Sequence, residues 1–391
     1  MGKNRGTARP APLGPRHDRG VAPGTRIPVA RPDLGPRERA YVEECLQTAW
    51  ISSAGPFVRR FESAYAAACG VTHGVACSSG TTALHLALTA AGVGAGDEVI
   101  VPAWTFVATA NAVVHAGATP VLADVDPVSW GMDPAEAARK ITRRTRAIIA
   151  VHLYGQPADI PALRRLARRR GLLLVEDAAE AHGAEIGGRR VGSLGDVGCF
   201  SFFANKILTT GEGGILITRI RRLAERARLL RDHGMGRRRY WHSVVGYSYG
   251  LGNLQAAIGL AQVERFDELL KRKDAIAARS AARLSEIPGI ALPSDRPGVR
   301  AVCWLVSILV NRRRFGMGRD GLMRALATRG IETRPFFYAL HRMPPYRSRE
   351  RFPVAERLAA AGMNLPSGPA ITVEEIDRVV DAIREIRERG A

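Results

Sequence analysis

The sequence predicts an α/β protein, in which a large domain built on a mostly parallel, helix-covered sheet is followed by a smaller α+β domain. Three observations predict it. Short apolar runs end in polar residues, as strands buried on both faces do. Helical patterns lie between several of those runs, the alternation that produces parallel sheets. From about residue 266 the alternation stops and the character of the chain changes. With 391 residues and 46% hydrophobic content, there is material for one large core and a smaller one.

Taken in order, residues 1–26 are rich in Gly, Pro and Arg without apolar periodicity, and read as a disordered arm. Residues 27–265 carry the large domain. Its strands are expected at 98–104, 119–126, 146–155, the first half of 172–183, 198–203 and 213–218, with helical patterns at 82–91 and 160–170. Residues 266–391 form the second domain. A long charged helix over 266–284 leads to Ile287-Pro288-Gly289, then to a strand around 304–310, and last to helices and proline-rich turns. No internal repeat is visible.

Composition narrows the function. The longest conspicuous apolar run, residues 301–310, is about half of what a bilayer span needs, and no secretory signal pattern opens the chain. Cys45, Cys69, Cys77, Cys199 and Cys303 are scattered without a CxxC pair. They read as reduced thiols of a cytoplasmic protein, not as a disulfide frame or a metal site. The net charge of +20 invites a nucleic-acid partner. Against it, only five of the 57 basic residues are lysine, the charge is spread along the chain, and no nucleic-acid-binding signature accompanies it. Solvated helix faces, or a basic surface suited to an anionic small molecule, explain the arginines as well.

In an open parallel sheet, function gathers beyond the carboxyl ends of the strands. SSGTTALHLAL, residues 78–88, is a hydroxyl-rich turn opening a helix, where N–H groups and hydroxyls cradle a phosphate. It reads alternatively as a Ser/Thr cap, and it lacks the lysine of a P-loop. The run LLLV delivers Glu176-Asp177 at a strand end; Asp177 followed by Ala-Ala-Glu also resembles a capping box. Of the five lysines, only Lys206 follows an apolar strand, between Phe-rich sequence and a Gly-rich turn. Partial desolvation there would lower its pKa and make it a better nucleophile, unless it snorkels to solvent. These parts together suit pyridoxal phosphate (PLP), which needs a phosphate cradle, an aromatic face, a carboxylate beside its ring nitrogen and an amine for its aldehyde. Gly80 and Thr81, Trp104, Asp177 and Lys206 fill the four roles in turn, although Trp104 reads equally as core packing. His182 and His233 are candidates to assist, and each reads equally as structural.

The motifs SSGTTALHLAL, VPAWTFVATANAV, HLYGQPADI, VEDAAEAHGA, SFFANK, TTGEGGIL and NLQAAIGLAQVE occur in order from about residue 27 onward. In this the sequence resembles the DegT/DnrJ/EryC1/StrS nucleotide-sugar aminotransferase family, PLP enzymes of fold type I. The resemblance implies a homodimer with shared active sites, L-glutamate as amino donor, and pyridoxamine phosphate as the intermediate carrier. It implies Ser201 as a further phosphate ligand and Glu180 near the cofactor ring. Within the family, YWHSVVGYSYG, WLVSILV and ETRPFFYALHRMPPY most resemble enzymes that aminate C4 of GDP-4-keto-6-deoxymannose. Relatives acting on dTDP- or UDP-ketosugars, on a 3-keto isomer or on keto-cyclitols share the same apparatus. Arg334, Tyr338 and His341 are candidates to hold a diphosphate and stack a base; alternatively Arg334 caps a helix and Phe336 and Phe337 are core. One segment departs from the family, which commonly has YNYR where this chain has Tyr247-Ser248-Tyr249-Gly250. Ser248 keeps one hydrogen bond for a phosphate, but Gly250 carries no charge. Lys206, where some relatives carry His and dehydrate instead, favours transamination. A PLP-binding regulator without turnover remains the rival of a different class.

Overall fold

The computed structural model describes residues 26–294 and 296–389. The apolar runs become strands of one seven-stranded sheet: β1 (His73–Cys77), β2 (Glu98–Pro102), β3 (Thr119–Ala123), β4 (Thr145–Val151), β5 (Leu173–Asp177), β6 (Val197–Ser201) and β7 (Gly214–Thr218). The strand order is β1-β7-β6-β5-β4-β2-β3. Only β7 runs against the rest, pairing antiparallel with β1 and β6, while the other neighbours pair in parallel.

Alternation along each strand feeds two cores, because successive side chains point to opposite faces. Val99, Val101, Ala147, Ile149 and Val175 face a layer containing the helices Gly80–Ala90 and Arg221–Arg231. Ile100, Ile148, Ala150, Leu174 and Phe200 face the layer containing Pro56–Ala68 and Ile160–Arg170. Buried on both faces, these strands are the near-continuous apolar runs seen in the sequence. The edge of the sheet at β1 was not among the expected strands. HGVAC is too poor in branched residues to signal one, and its register against β7 supplies what propensity does not.

A second, antiparallel sheet holds β8 (Ile290–Ala291), β9 (Val306–Val310), β10 (Arg334–Pro335) and β11 (Gly362–Leu365), in the order β8-β9-β11-β10. Its core joins Val306, Ile308, Met363 and Leu365 to Ile383 of the helix Val373–Arg389. The charged helix spans Phe266–Leu284, with Leu269 and Leu270 in a large-sheet core and Ile276 and Leu284 in this one. Ile27, where the sequence starts the large domain, instead pairs with Ile331 and packs into the C-terminal core. The expected arm, apart from Arg26, lies outside the described residues. Among the described residues no helix is long and apolar enough to cross a membrane.

Candidate active site

The strand ends converge on a cavity of about 340 Å³. β1 delivers Ser79, Gly80 and Thr81, β2 delivers Thr105 and Phe106, β5 delivers Asp177, and β6 delivers Ser201 and leads on to Lys206. Trp304, Arg334 and Phe337 close it from the C-terminal part.

Ser79 caps the helix Gly80–Ala90, its Oγ accepting from the amide of Thr82 at 3.2 Å. Part of the hydroxyl cluster is therefore a cap, as the alternative reading had it. The remaining first-turn amides have no intrahelical acceptor and give an anion site with the helix dipole behind it. Ser201 stands directly against this turn. A Cβ built on Gly80 would lie 2.8 Å from the Ser201 Cβ, so the close approach requires glycine.

Alternation on β5 decides which of its two acids reaches the cavity. Glu176 points the other way and is fully buried, accepting from Gly192 (2.8 Å), Leu194 (2.7 Å) and the His152 ring (3.0 Å). Burial pushes its carboxyl up, but the His152 ring and the Gly192 and Gly195 amides together hold it below the ordinary range. Asp177 faces the cavity at 5% exposure. Thr109 Oγ1 donates to it at 2.8 Å and the Ala179 amide at 3.2 Å. Burial raises its pKa despite those bonds. No helix follows, so the capping-box reading is not realised.

Lys206 is 9% exposed. Its Nζ lies 3.6 Å from Glu180 Oε1 and 3.8 Å above the Trp304 ring. Burial lowers the pKa of the amine, while Glu180 and Asp177 pull it back up. Burial likewise raises the Glu180 carboxyl to about 7, with Lys206 opposing the shift. Both shifts favour the neutral forms of this close pair. Glu180 is held in place by the Tyr154 amide at 2.8 Å, and Tyr154 adopts a left-handed φ of 52° to reach it.

Trp104 is a correction. Its indole is fully buried among Trp130, Tyr154 and Phe336 and donates to the Phe337 carbonyl at 2.8 Å. Phe106, two residues on and 52% exposed, lines the cavity instead, with Phe203, Trp304 and Phe337 as its other aromatic walls. Of the substrate candidates, Arg334 lines the cavity and Phe336 is core. Tyr338 is exposed and off the lining, and His341 is buried away from it, bonded to Glu356 at 3.0 Å. Ser248 is also exposed and outside its own chain's cavity. Gly250 has a steric reason, since a Cβ there would sit 2.8 Å from that of Ser53. His233 is exposed. His182 is buried behind the cavity, accepting from Tyr65 Oη at 2.7 Å and donating to the Ser201 carbonyl at 2.8 Å. Sequence reasoning missed Phe106, Thr109, Asn205 and Trp304. All four lie inside motifs singled out in the sequence, but only Phe106 had a position, just past a strand end, that pointed to the cavity by itself.

A phosphate cradle, an aromatic face, an acid and an amine thus surround one space, and Asn205 Oδ1 is buried beside Lys206 without a partner. The residues fit pyridoxal phosphate. Comparison with known proteins agrees. The chain belongs to the DegT/DnrJ/EryC1/StrS aminotransferase family, which matches residues 32–384. It is a PLP-dependent sugar aminotransferase. GDP-perosamine synthase of Caulobacter vibrioides is 47% identical over 374 residues, covering 92% of this chain and 98% of that protein. GDP-perosamine synthase of Escherichia coli O157:H7 is 42% identical over 361 residues, with the same coverage. Among solved structures, S. venezuelae DesV in complex with a ketimine intermediate superposes with a TM-score of 0.87 at 39% identity, covering 93% of this chain and 99% of that one. DesI in the presence of its TDP-sugar product gives 0.88 at 35% identity, covering 94% of each.

Proposed function

We propose that the enzyme moves the amino group of L-glutamate onto a nucleotide-linked keto-deoxysugar, GDP-4-keto-6-deoxymannose, to give GDP-perosamine. The observation that carries the chemistry is a buried amine, Lys206, sharing a cavity with a helix N-terminus and an acid at a strand end. The choice of sugar is supported by near-full-length relatives at 40–47% identity that are GDP-perosamine synthases. A dTDP-linked ketosugar is the second reading, favoured by the likeness to DesI.

Pyridoxal phosphate, when bound, supplies an aldehyde carbon for the amine and a ring that accepts electrons. The chain's own residues do the rest. The turn at Gly80 and Thr81, with Ser201, binds the phosphate. Asp177, oriented by Thr109, holds a proton at the ring nitrogen. Phe106, lining the cavity, would cover one ring face and exclude water there. Lys206, its charged form disfavoured by burial, is the amine that would hold the aldehyde carbon, with the carbonyl oxygen leaving as water, and when free would move the proton at Nζ. Glu180 receives or returns a proton at Nζ. Arg334 offers a cation to the anionic end of a substrate.

We also infer a homodimer in the cytoplasm. The exposed Tyr240, Trp241 and Val245, next to the segment of Ser248, support a surface that a second copy covers. Five free cysteines support a reducing compartment.

The test takes purified chain, glutamate, and a panel of GDP-, dTDP- and UDP-ketosugars, reading the mass change of the sugar. Amination of the GDP-4-keto sugar is expected. In parallel, Lys206→Ala should lose both turnover and borohydride trapping of cofactor at position 206; turnover that survives the substitution refutes the role of the amine.

A further inference from the structure

Trp304 is held more firmly than packing requires. Its indole N–H donates to the carbonyl of Asn205, the residue before Lys206, at 2.8 Å. The ring stacks on Tyr154 with centroids 5.9 Å apart and planes 9° from parallel. Its own carbonyl accepts from Lys273 Nζ at 3.1 Å. Lys273 is 1% exposed, and its Nζ also donates to the Ser367 carbonyl. A buried ammonium bonded to carbonyls is costly to the fold. Here its visible effect is to pin the backbone that carries the indole. The indole face so fixed lies 3.8 Å from Lys206 Nζ.

Transamination requires the lysine amine to leave the cofactor and return, with a proton in hand between the two events. A free alkylammonium in a nearly dry site has lost its water and needs other partners. In this structure Nζ has two, the Glu180 carboxylate and the Trp304 face. We propose that the Trp304 indole is a further catalytic group, the seat that holds the Lys206 ammonium while the amine is off the cofactor. The inference rests on the reading of Lys206 as the cofactor-capturing amine.

The ring quadrupole attracts the cation and does nothing for the neutral amine, so it favours the protonated form. The other ionisable groups facing Nζ are Glu180, Asp177 and, from the C-terminal sheet, Arg334; His182 behind them is kept neutral by burial. Glu180 loses its charge near neutrality, which leaves the ring as the partner that does not titrate. Lys273 is a positioning residue in this scheme, acting only through the Trp304 backbone.

The test uses full-length chain loaded with pyridoxamine phosphate, a form in which Lys206 is free. Its amines are reductively methylated with ¹³C-formaldehyde and titrated by NMR; with only five lysines the signals are assignable by single substitutions. Tryptophans of increasing fluorination, placed at position 304 alone, weaken the ring face without changing its shape or its N–H. The Lys206 midpoint should move down stepwise along that series and down again in Trp304→Leu, and should return toward wild type in Trp304→Phe. Lys273→Met should move it down as well. A midpoint that stays constant across the fluorinated series overturns the proposal, and that series decides even if the leucine variant does not fold. Failure of the underlying reading looks different, because unsubstituted chain would then show no borohydride trapping of PLP at position 206.

Discussion

Trp104 and Phe106 show how much depends on a turn of two residues. β2 ends at Pro102, and past it the chain bends, so the alternation that assigns faces within a strand no longer applies. Trp104 falls inward against Tyr154 and Phe336, and Phe106 is left facing the cavity. The two aromatics should therefore fail differently when truncated. Phe106→Ala should weaken cofactor binding about tenfold, a loss of ~1.4 kcal/mol of ring contact, with little change in unfolding. Trp104→Ala should destabilise the fold by about 3–5 kcal/mol, since it empties a filled core. Equilibrium cofactor titration and urea unfolding, run on both variants, separate the two. If Trp104→Ala loses cofactor affinity at unchanged stability, the assignment is reversed.

At the scale of elements, His182 joins the helix Pro56–Ala68 to the carboxyl end of β6 through Tyr65 and the Ser201 carbonyl. Burial drops its pKa from the ordinary 6.5 to about 3. The unfolded chain then binds the extra proton across that window, so His182 contributes stability that is fully present above 6.5 and lost as pH falls toward 3. Glu180, raised from 4.5 to about 7, acts with the opposite sign over its own window, so the wild-type curve alone is ambiguous. Subtracting the urea stability of His182→Asn from that of wild type isolates the effect. The difference should shrink on acidification by up to about 1.4 kcal/mol per pH unit. A difference that is flat between pH 7 and about pH 5 would show that the imidazole is not kept neutral. The elements themselves were unevenly legible. The helices Ile160–Arg170 and Phe266–Leu284 were read to the residue, because an amphipathic period and a change of charge mark them. β1 was not, since its stability comes from its partner and not from its own side chains.

For the whole molecule, the C-terminal sheet completes a site that the large sheet begins. Trp304, Arg334 and Phe337 arrive from beyond residue 300, and the helix Phe266–Leu284 contributes to the cores of both sheets. Ser248, outside its own cavity, has a part to play only if a second copy presents it. Two inactive chains then make a clean test. Lys206→Ala and Ser248→Trp subunits, each inactive alone, should regain turnover when mixed and allowed to exchange, because a mixed dimer contains one site with both residues intact. If sites are not shared, Ser248→Trp keeps its activity, or mixing restores nothing.

The sequence by itself determined the sheet's buried strands, the turn before the helix Gly80–Ala90, the acid at the end of β5 and the lysine beyond β6, because each is written locally as an apolar run and the polar residue that stops it. Tertiary structure decided what the sequence left open: Phe106 and not Trp104 lines the cavity, Glu176 turns away from it, and Trp304, marked in the sequence only as part of WLVSILV, comes over Lys206. Those choices depend on which side a residue faces after a strand ends and on what arrives from a hundred residues away. Local period and propensity do not carry that information; packing does.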